Sequence, residues 1–163
     1  MVGHDRVGLG RMEGACVMGE VKRKNAILSE ISETLGQVPG WVRATPDAAL
    51  EGFWTLFRDF QLSETAIPNK YKELIGLAVS GATRCKYCVL FHTEAAKLNG
   101  ATEEEIAEAA MMGGVTMMAS TFVNALGTDY EAFERETREI VDYVKLQASR
   151  KAPTSKSPPR AHV

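Results

Sequence analysis

Residues 68–100 read PNKYKELIGLAVSGATRCKYCVLFHTEAAKLNG, and this stretch decides the fold class. Leu74, Leu77 and Ala78 recur at helical spacing behind Pro68, which predicts a helix ending near Ala82. A second helix is expected behind Thr83 as its N-cap, running to the stop signal Asn99-Gly100. On that helix Cys85 falls in the first turn and Cys88 begins the second. Cys88 and His92 are four apart, so Cys85, Cys88 and His92 share one face. The free amides and positive end of a helix N-terminus favour a thiolate over a thiol, and Arg84 and Lys86 add positive charge nearby. His92 is the proton acceptor on that face, and an imidazole acting as a base needs an orienting acceptor for its other nitrogen. Glu73 lies twelve residues before Cys85. A hairpin turning around residues 81–84 would set Glu73 and His92 at comparable distances from the turn, facing each other. The expected result is a carboxylate–imidazole–thiol relay.

Outward from this hairpin the signals stay helical. One helix is expected over about 20–35, with Ile27, Leu28, Ile31 and Leu35 on a stripe and Gly36 as its stop. Another opens at Thr45-Pro46-Asp47, a cap, a first-turn proline and a first-turn acid, and carries Phe53, Trp54, Phe57 and Phe60. Beyond Gly100, Thr102 and Glu105 have capping-box spacing for a helix to about Leu126, and the device is repeated at Thr128–Glu131 for a last helix to about Gln147. No stretch alternates like a strand. The expected fold is all-α, about six helices, with the C-x-x-C pair opening the helix that follows a helical hairpin. Residues 1–19 read as a flexible leader, 20–148 as the helical domain, and 149–163, rich in proline and basic side chains, as a disordered tail.

The bulk properties narrow the function. The net charge of -2 lacks the basic surplus that phosphate backbones require, so nucleic acid is not an expected partner. No apolar run reads as long enough for a membrane span, and the start MVGHDRVGLG has charges and glycines where a secretory signal needs an apolar core. A cytoplasmic protein is expected. In a reducing compartment a close cysteine pair is catalytic or metal-binding more readily than structural. Cys85, Cys88 and His92 would supply three zinc ligands, but His4 and His162 sit in the expected tails and are poor candidates for a fourth. Neither a metal nor a cofactor is expected. Cys16 reads as incidental; Trp41, Trp54 and Tyr71 read as packing residues, one of which could line a substrate entrance. The segment around Met111, Met112, Gly113, Gly114, Met117 and Met118 mixes small residues with flexible thioethers, which suits a tight core within the chain, a subunit interface or a channel.

The pattern Glu73, Cys85, Cys88, His92, with Lys72-Glu73-Leu74-Ile75 before it and His92-Thr93-Glu94-Ala95-Ala96 and Gly100-Ala101-Thr102 after it, resembles the AhpD-like alkylhydroperoxidases of the carboxymuconolactone decarboxylase superfamily. The resemblance covers about residues 68–126. It implies a peroxidase in which Cys88 attacks the peroxide and becomes a sulfenic acid. Cys85 then closes a disulfide, and Glu73 and His92 relay protons. It further implies a small hydroperoxide substrate, a lipoyl-bearing or thioredoxin-like dithiol reductant, and a homo-oligomer, a trimer or a dimer of trimers. Tyr87 stands where the best-studied branch has a histidine. The alternatives are general dithiol–disulfide exchange, a redox-sensing oligomeric module, and the decarboxylase chemistry that names the superfamily; that last branch does not rely on a C-x-x-C pair.

Overall fold

The computed structural model describes residues 9–151, with side chains from 19 to 150. Seven α-helices follow in order: α1 (Leu9–Leu35), α2 (Gly40–Arg43), α3 (Asp47–Leu56), α4 (Asn69–Ala82), α5 (Lys86–Leu98), α6 (Glu103–Ala125) and α7 (Tyr130–Lys151). A π-helical segment, Phe57–Leu62, continues directly from α3. There is no strand among the described residues, so the fold is all-α as expected. The chain divides inside α6 into two compact units, Met1–Met111 and Met112–Val163.

The first unit holds the core and the cysteine pair. Ile31, Val42, Leu50 and Trp54 form a buried cluster, with Ile27, Leu28, Leu35, Val38 and Phe57 packed around it. Ile31 and Leu50 are the largest fully buried side chains. Burial of each contributes about 1.5–3 kcal/mol and ties α1 to α3. Val42 reaches this core from α2, a four-residue helix that the sequence periodicity did not reveal. Leu77 of α4 and Ala96 of α5 are buried where those two helices meet. Lys70 and Glu105 pair at 2.7 Å and join the start of α4 to the start of α6. That pairing, with the Thr102 amide, holds the Glu105 carboxyl below its ordinary range.

Several boundaries differ from expectation. Helix α1 begins at Leu9, within the expected leader: Leu, Arg, Met, Glu and Ala are strong helix formers, and three interspersed glycines do not interrupt the backbone. Pro46 is the N-cap of α3, with Thr45 outside it. The capping box of α6 is made in full, Glu105 N donating to Thr102 Oγ1 at 3.1 Å and Thr102 N to Glu105 Oε2 at 2.8 Å. In the second unit α7 starts at Tyr130, so its cap is Asp129, whose carboxylate accepts from Ala132 N at 2.7 Å, and Thr128 lies outside it. Helix α7 continues to Lys151, past the expected end near Gln147. The rest of the expected tail, 152–163, and residues 1–8 lie outside the described residues, as does the side chain of Cys16.

Helix α6 corrects two expectations. By length and composition it is apolar enough to cross a membrane, with a mean hydropathy of 1.3, because methionine, alanine and glycine accumulate behind its acidic first turn. Among the described residues of this helix Gly113 is buried, and Met111, Met112, Val115, Met117, Met118 and Phe122 are exposed, where a tight core within the chain would have buried them.

The join between α4 and α5 departs from expectation in a way that matters for the site. Thr83 ends α4; its hydroxyl donates to Val79 O at 2.9 Å and does not cap α5. Arg84 follows in the left-handed region at φ 59°. Arg84 N donates to Gly81 O at 3.1 Å and Cys85 N to Ser80 O at 3.0 Å, the paired bonds of a Schellman termination. Glycine usually occupies that left-handed position, since a Cβ there costs roughly 1–2 kcal/mol. The N-cap of α5 is therefore Cys85 itself. Replacing Arg84 by glycine is expected to raise the unfolding free energy by up to ~1 kcal/mol in urea denaturation; a loss of stability instead would show that the Arg84 side chain contributes more than its backbone strain removes.

Candidate functional site

With Cys85 as N-cap, its Sγ takes the place of a capping oxygen and accepts from Cys88 N at 3.3 Å. Cys88 sits in the first helical turn, two residues nearer the positive end of α5 than Thr83 capping would have placed it. The two cysteines form a disulfide with their Cα atoms 5.3 Å apart, within the ordinary range for such bonds. Arg84 and Lys86 beside them are exposed, and Lys86 Nζ lies 5.1 Å from the centre of the Tyr87 ring.

Glu73 of α4 faces His92 of α5 across the hairpin. Glu73 Oε2 is 2.6 Å from His92 Nδ1, with the Glu73 residue 2% exposed. A carboxylate only accepts hydrogen bonds, so Nδ1 carries the imidazole proton and Nε2 is left as the basic nitrogen. The second carboxylate oxygen, Oε1, accepts from Gln61 Nε2 at 2.7 Å. Gln61 comes from the π-helical segment. Lys72, also buried, donates from Nζ to Phe60 O at 2.7 Å and to Ser63 O at 2.6 Å, tying the end of that segment to α4.

Gly76 lets the imidazole lie where it does. A Cβ at this position would stand 2.7 Å from His92 Nε2 and overlap Cε1 and Nδ1 as well. Glu73 and Gly76 are three apart on α4, so one helix face supplies both the partner of the ring and the space for it.

His92 and both cysteines open onto a groove of ≈ 650 Å³. Its walls are Trp41, Phe57, Tyr87 and Phe91, with Gln61 beside His92. The rings form a continuous series. Trp41 meets Phe53 edge-on at 5.6 Å, and Phe53 stacks on Phe57 at 5.7 Å. Phe57 meets Phe91 at 5.9 Å, and Phe91 meets the His92 ring edge-on at 5.3 Å. An apolar wall ending on an imidazole and a sulfur pair suits a molecule with an organic body and one reactive polar end. Of the aromatic residues singled out from the sequence, Trp41 lines the groove, Trp54 is core, and Tyr71 is exposed on α4 with Lys70 over its ring. Among the described residues, no group of three or more His, Cys, Asp or Glu side chains is placed to hold a metal.

Sequence reasoning did not single out Gln61, Gly76 or the groove role of Phe57 and Phe91. Gly76 left the clearest trace, a glycine inside a helix three residues after the candidate carboxylate.

The helical hairpin, the disulfide at its turn and the carboxylate–imidazole pair across it define an all-α protein with a C-x-x-C disulfide. The family model for the carboxymuconolactone decarboxylase family matches residues 48–128. The crystal structure of an alkylhydroperoxidase AhpD core from Rhodospirillum rubrum is similar with a TM-score of 0.60 and 31% sequence identity, covering 74% of this chain and 90% of that one. A Paracoccus denitrificans protein described as uncharacterized protein 4 in the cox locus is 28% identical over 98 residues, 60% of this chain and 84% of that protein. The chain belongs to the carboxymuconolactone decarboxylase superfamily as an AhpD-like member.

Gly76→Ala tests the packing of the ring. Helix propensity alone would favour alanine by about 1 kcal/mol. The overlap with His92 is expected to reverse that sign, giving a net loss of about 1–3 kcal/mol in denaturation. Displacement of the imidazole should also slow alkylation of the reduced cysteine pair at neutral pH by about tenfold. A variant more stable than the parent, with unchanged alkylation, would contradict the geometry.

Proposed function

We propose that this chain is a thiol-dependent hydroperoxidase of the alkylhydroperoxidase type, working through Cys88, Cys85, His92 and Glu73. The observation that carries the reading is the 2.6 Å contact between Glu73 and His92 on the same hairpin that presents the Cys85–Cys88 disulfide to an aromatic groove. In the reduced protein His92 Nε2 takes the Cys88 proton, and Glu73 stabilises the imidazolium that results. The Cys88 thiolate attacks the terminal oxygen of R–O–O–H. The O–O bond breaks, Cys88 becomes a sulfenic acid, and the alkoxide leaves as R–OH with the proton held on His92. The Cys85 thiol then attacks the Cys88 sulfur, forming the disulfide and releasing water. A dithiol donor reduces that disulfide and is itself oxidised, which restores the starting state. The likeness to an alkylhydroperoxidase core supports this sequence of steps.

A second reading, general dithiol–disulfide exchange, draws on the Cys85 position at the N-cap. Its sulfur accepts a backbone amide there, an environment that suits a nucleophilic thiolate toward another disulfide. Decarboxylation would leave the cysteine pair without a role. We include in the proposal a homo-oligomer, a trimer or a dimer of trimers, for which the exposed Met117, Met118 and Phe122 of α6 offer apolar surface. A cytoplasmic setting, where a lipoyl-bearing or thioredoxin-like dithiol is at hand, completes it.

The test is consumption of cumene hydroperoxide with dihydrolipoamide as reductant. The parent chain is expected to turn over and Cys88→Ser to fall by about a hundredfold or more. Cys85→Ser is expected to stop after one equivalent, with a sulfenic acid on Cys88 that dimedone traps for mass spectrometry. Turnover that survives both replacements would remove the thiol mechanism, and a sulfenic acid found on Cys85 in Cys88→Ser would exchange the two roles.

A further inference from the structure

The Glu73 carboxylate is almost wholly buried, and its described partners are two nitrogens: the imidazole Nδ1 of His92 and the amide Nε2 of Gln61. Among the described residues no lysine or arginine pairs with it. Lys72, the adjacent residue, points its ammonium at the carbonyls of Phe60 and Ser63. Arg58, on the segment that carries Gln61, pairs with Glu30 and Asp59. The groove that Gln61 and His92 line also takes the titratable side chains Cys85, at the cap of α5, and Tyr87 and Cys88 on it. A buried carboxylate needs donors, and here a neutral amide supplies one of the two.

We propose that Gln61 is a positioning residue of the proton relay, deepening the function proposed above and resting on it. Its amide fixes one carboxylate oxygen of Glu73, so the other is aimed at His92 Nδ1 and the imidazole keeps Nε2 toward the groove. The neutrality of the donor matters. A lysine or arginine at this position would pair with the carboxylate and weaken its attraction for the imidazolium formed when His92 takes the thiol proton. A glutamine holds the carboxylate in place and leaves its charge to act on His92. The backbone is built for this placement. The π-helical segment widens the turn after α3 and changes the face it presents, a device that recurs at functional sites, and Lys72 ties the end of the segment to the helix bearing Glu73. Gln61 lines the groove while acting through Glu73, which separates it from a residue that handles the peroxide itself.

Two near-isosteric variants, Gln61→Leu and Gln61→Glu, test the proposal in the full chain by steady-state turnover of cumene hydroperoxide with dihydrolipoamide. A second measurement, alkylation of Cys88 by iodoacetamide from pH 5 to 9 in a Cys85→Ser background, depends on thiol chemistry alone. Gln61→Leu is expected to lower kcat about tenfold with KM for the peroxide within about twofold, and to slow alkylation similarly. Gln61→Glu should be slow at pH 8, where two carboxylates face each other. It should regain activity relative to the parent as the pH falls toward 5, because a protonated carboxyl donates its O–H where the amide donated its N–H. A residue with a purely structural role would not show that pH-dependent recovery. Should Gln61→Leu fail to fold, Gln61→Glu against the parent carries the test alone. Parent-like kcat and alkylation in Gln61→Leu, or a Gln61→Glu profile that tracks the parent at every pH, would overturn the proposal. Absence of peroxide turnover in the parent itself would instead overturn the peroxidase reading, and the alkylation profiles would still decide the role of Gln61.

Discussion

The placement of one imidazole governs this molecule's site. His92 lies on α5 against α4, with its Nδ1 on a buried carboxylate and its ring over a glycine. Each constraint depends on the other. Without Glu73 the ring would have no acceptor to set its tautomer, and without Gly76 it could not approach closely enough to use one. Leu77 on α4 and Ala96 on α5 are both buried, one helical turn beyond Glu73 and His92 respectively. The hairpin is thus a structural joint and a chemical one together.

The termination of α4 sets the second element of the site. A Schellman turn closed by Arg84 in the left-handed region brings the chain into α5 with Cys85 at the cap. From there the backbone dictates that Cys88 follows in the first turn and His92 one turn later, on one groove wall. The helix N-terminus supplies the Cys88 amide to the Cys85 sulfur, and the His92 imidazole opens onto the same groove. The aromatic series from Trp41 to Phe91 then gives that groove an apolar wall.

Much of this was legible in the residues. Helical spacing placed Cys85, Cys88 and His92 on one side, and counting back from the turn placed Glu73 opposite His92, because an α-helical hairpin has a fixed rise per residue. The capping box at Thr102 and Glu105 was equally plain, since both partners lie within four residues of chain. What escaped was of a different kind. Gln61 reaches Glu73 from a π-helical segment, and a shift of hydrogen-bond register leaves no mark in a pattern read at the α-helical period. Gly76 matters through a ring sixteen residues away in sequence, visible only once the helices are packed. Helix α2, with Trp41, is too short to show any periodicity. Thr83 looked like a cap because threonine is a good one, yet its hydroxyl serves the helix it ends.

The central claim is that Glu73 holds His92 with its basic nitrogen free to act on the cysteine pair. Nitrogen NMR of the reduced protein, with histidine labelled and His92 assigned by substitution, reads the tautomer directly. A neutral His92 with the proton on Nδ1 and a bare Nε2, lost or redistributed in Glu73→Gln, is the expected result. A neutral ring with the proton on Nε2 and Nδ1 bare would contradict the relay at its first step.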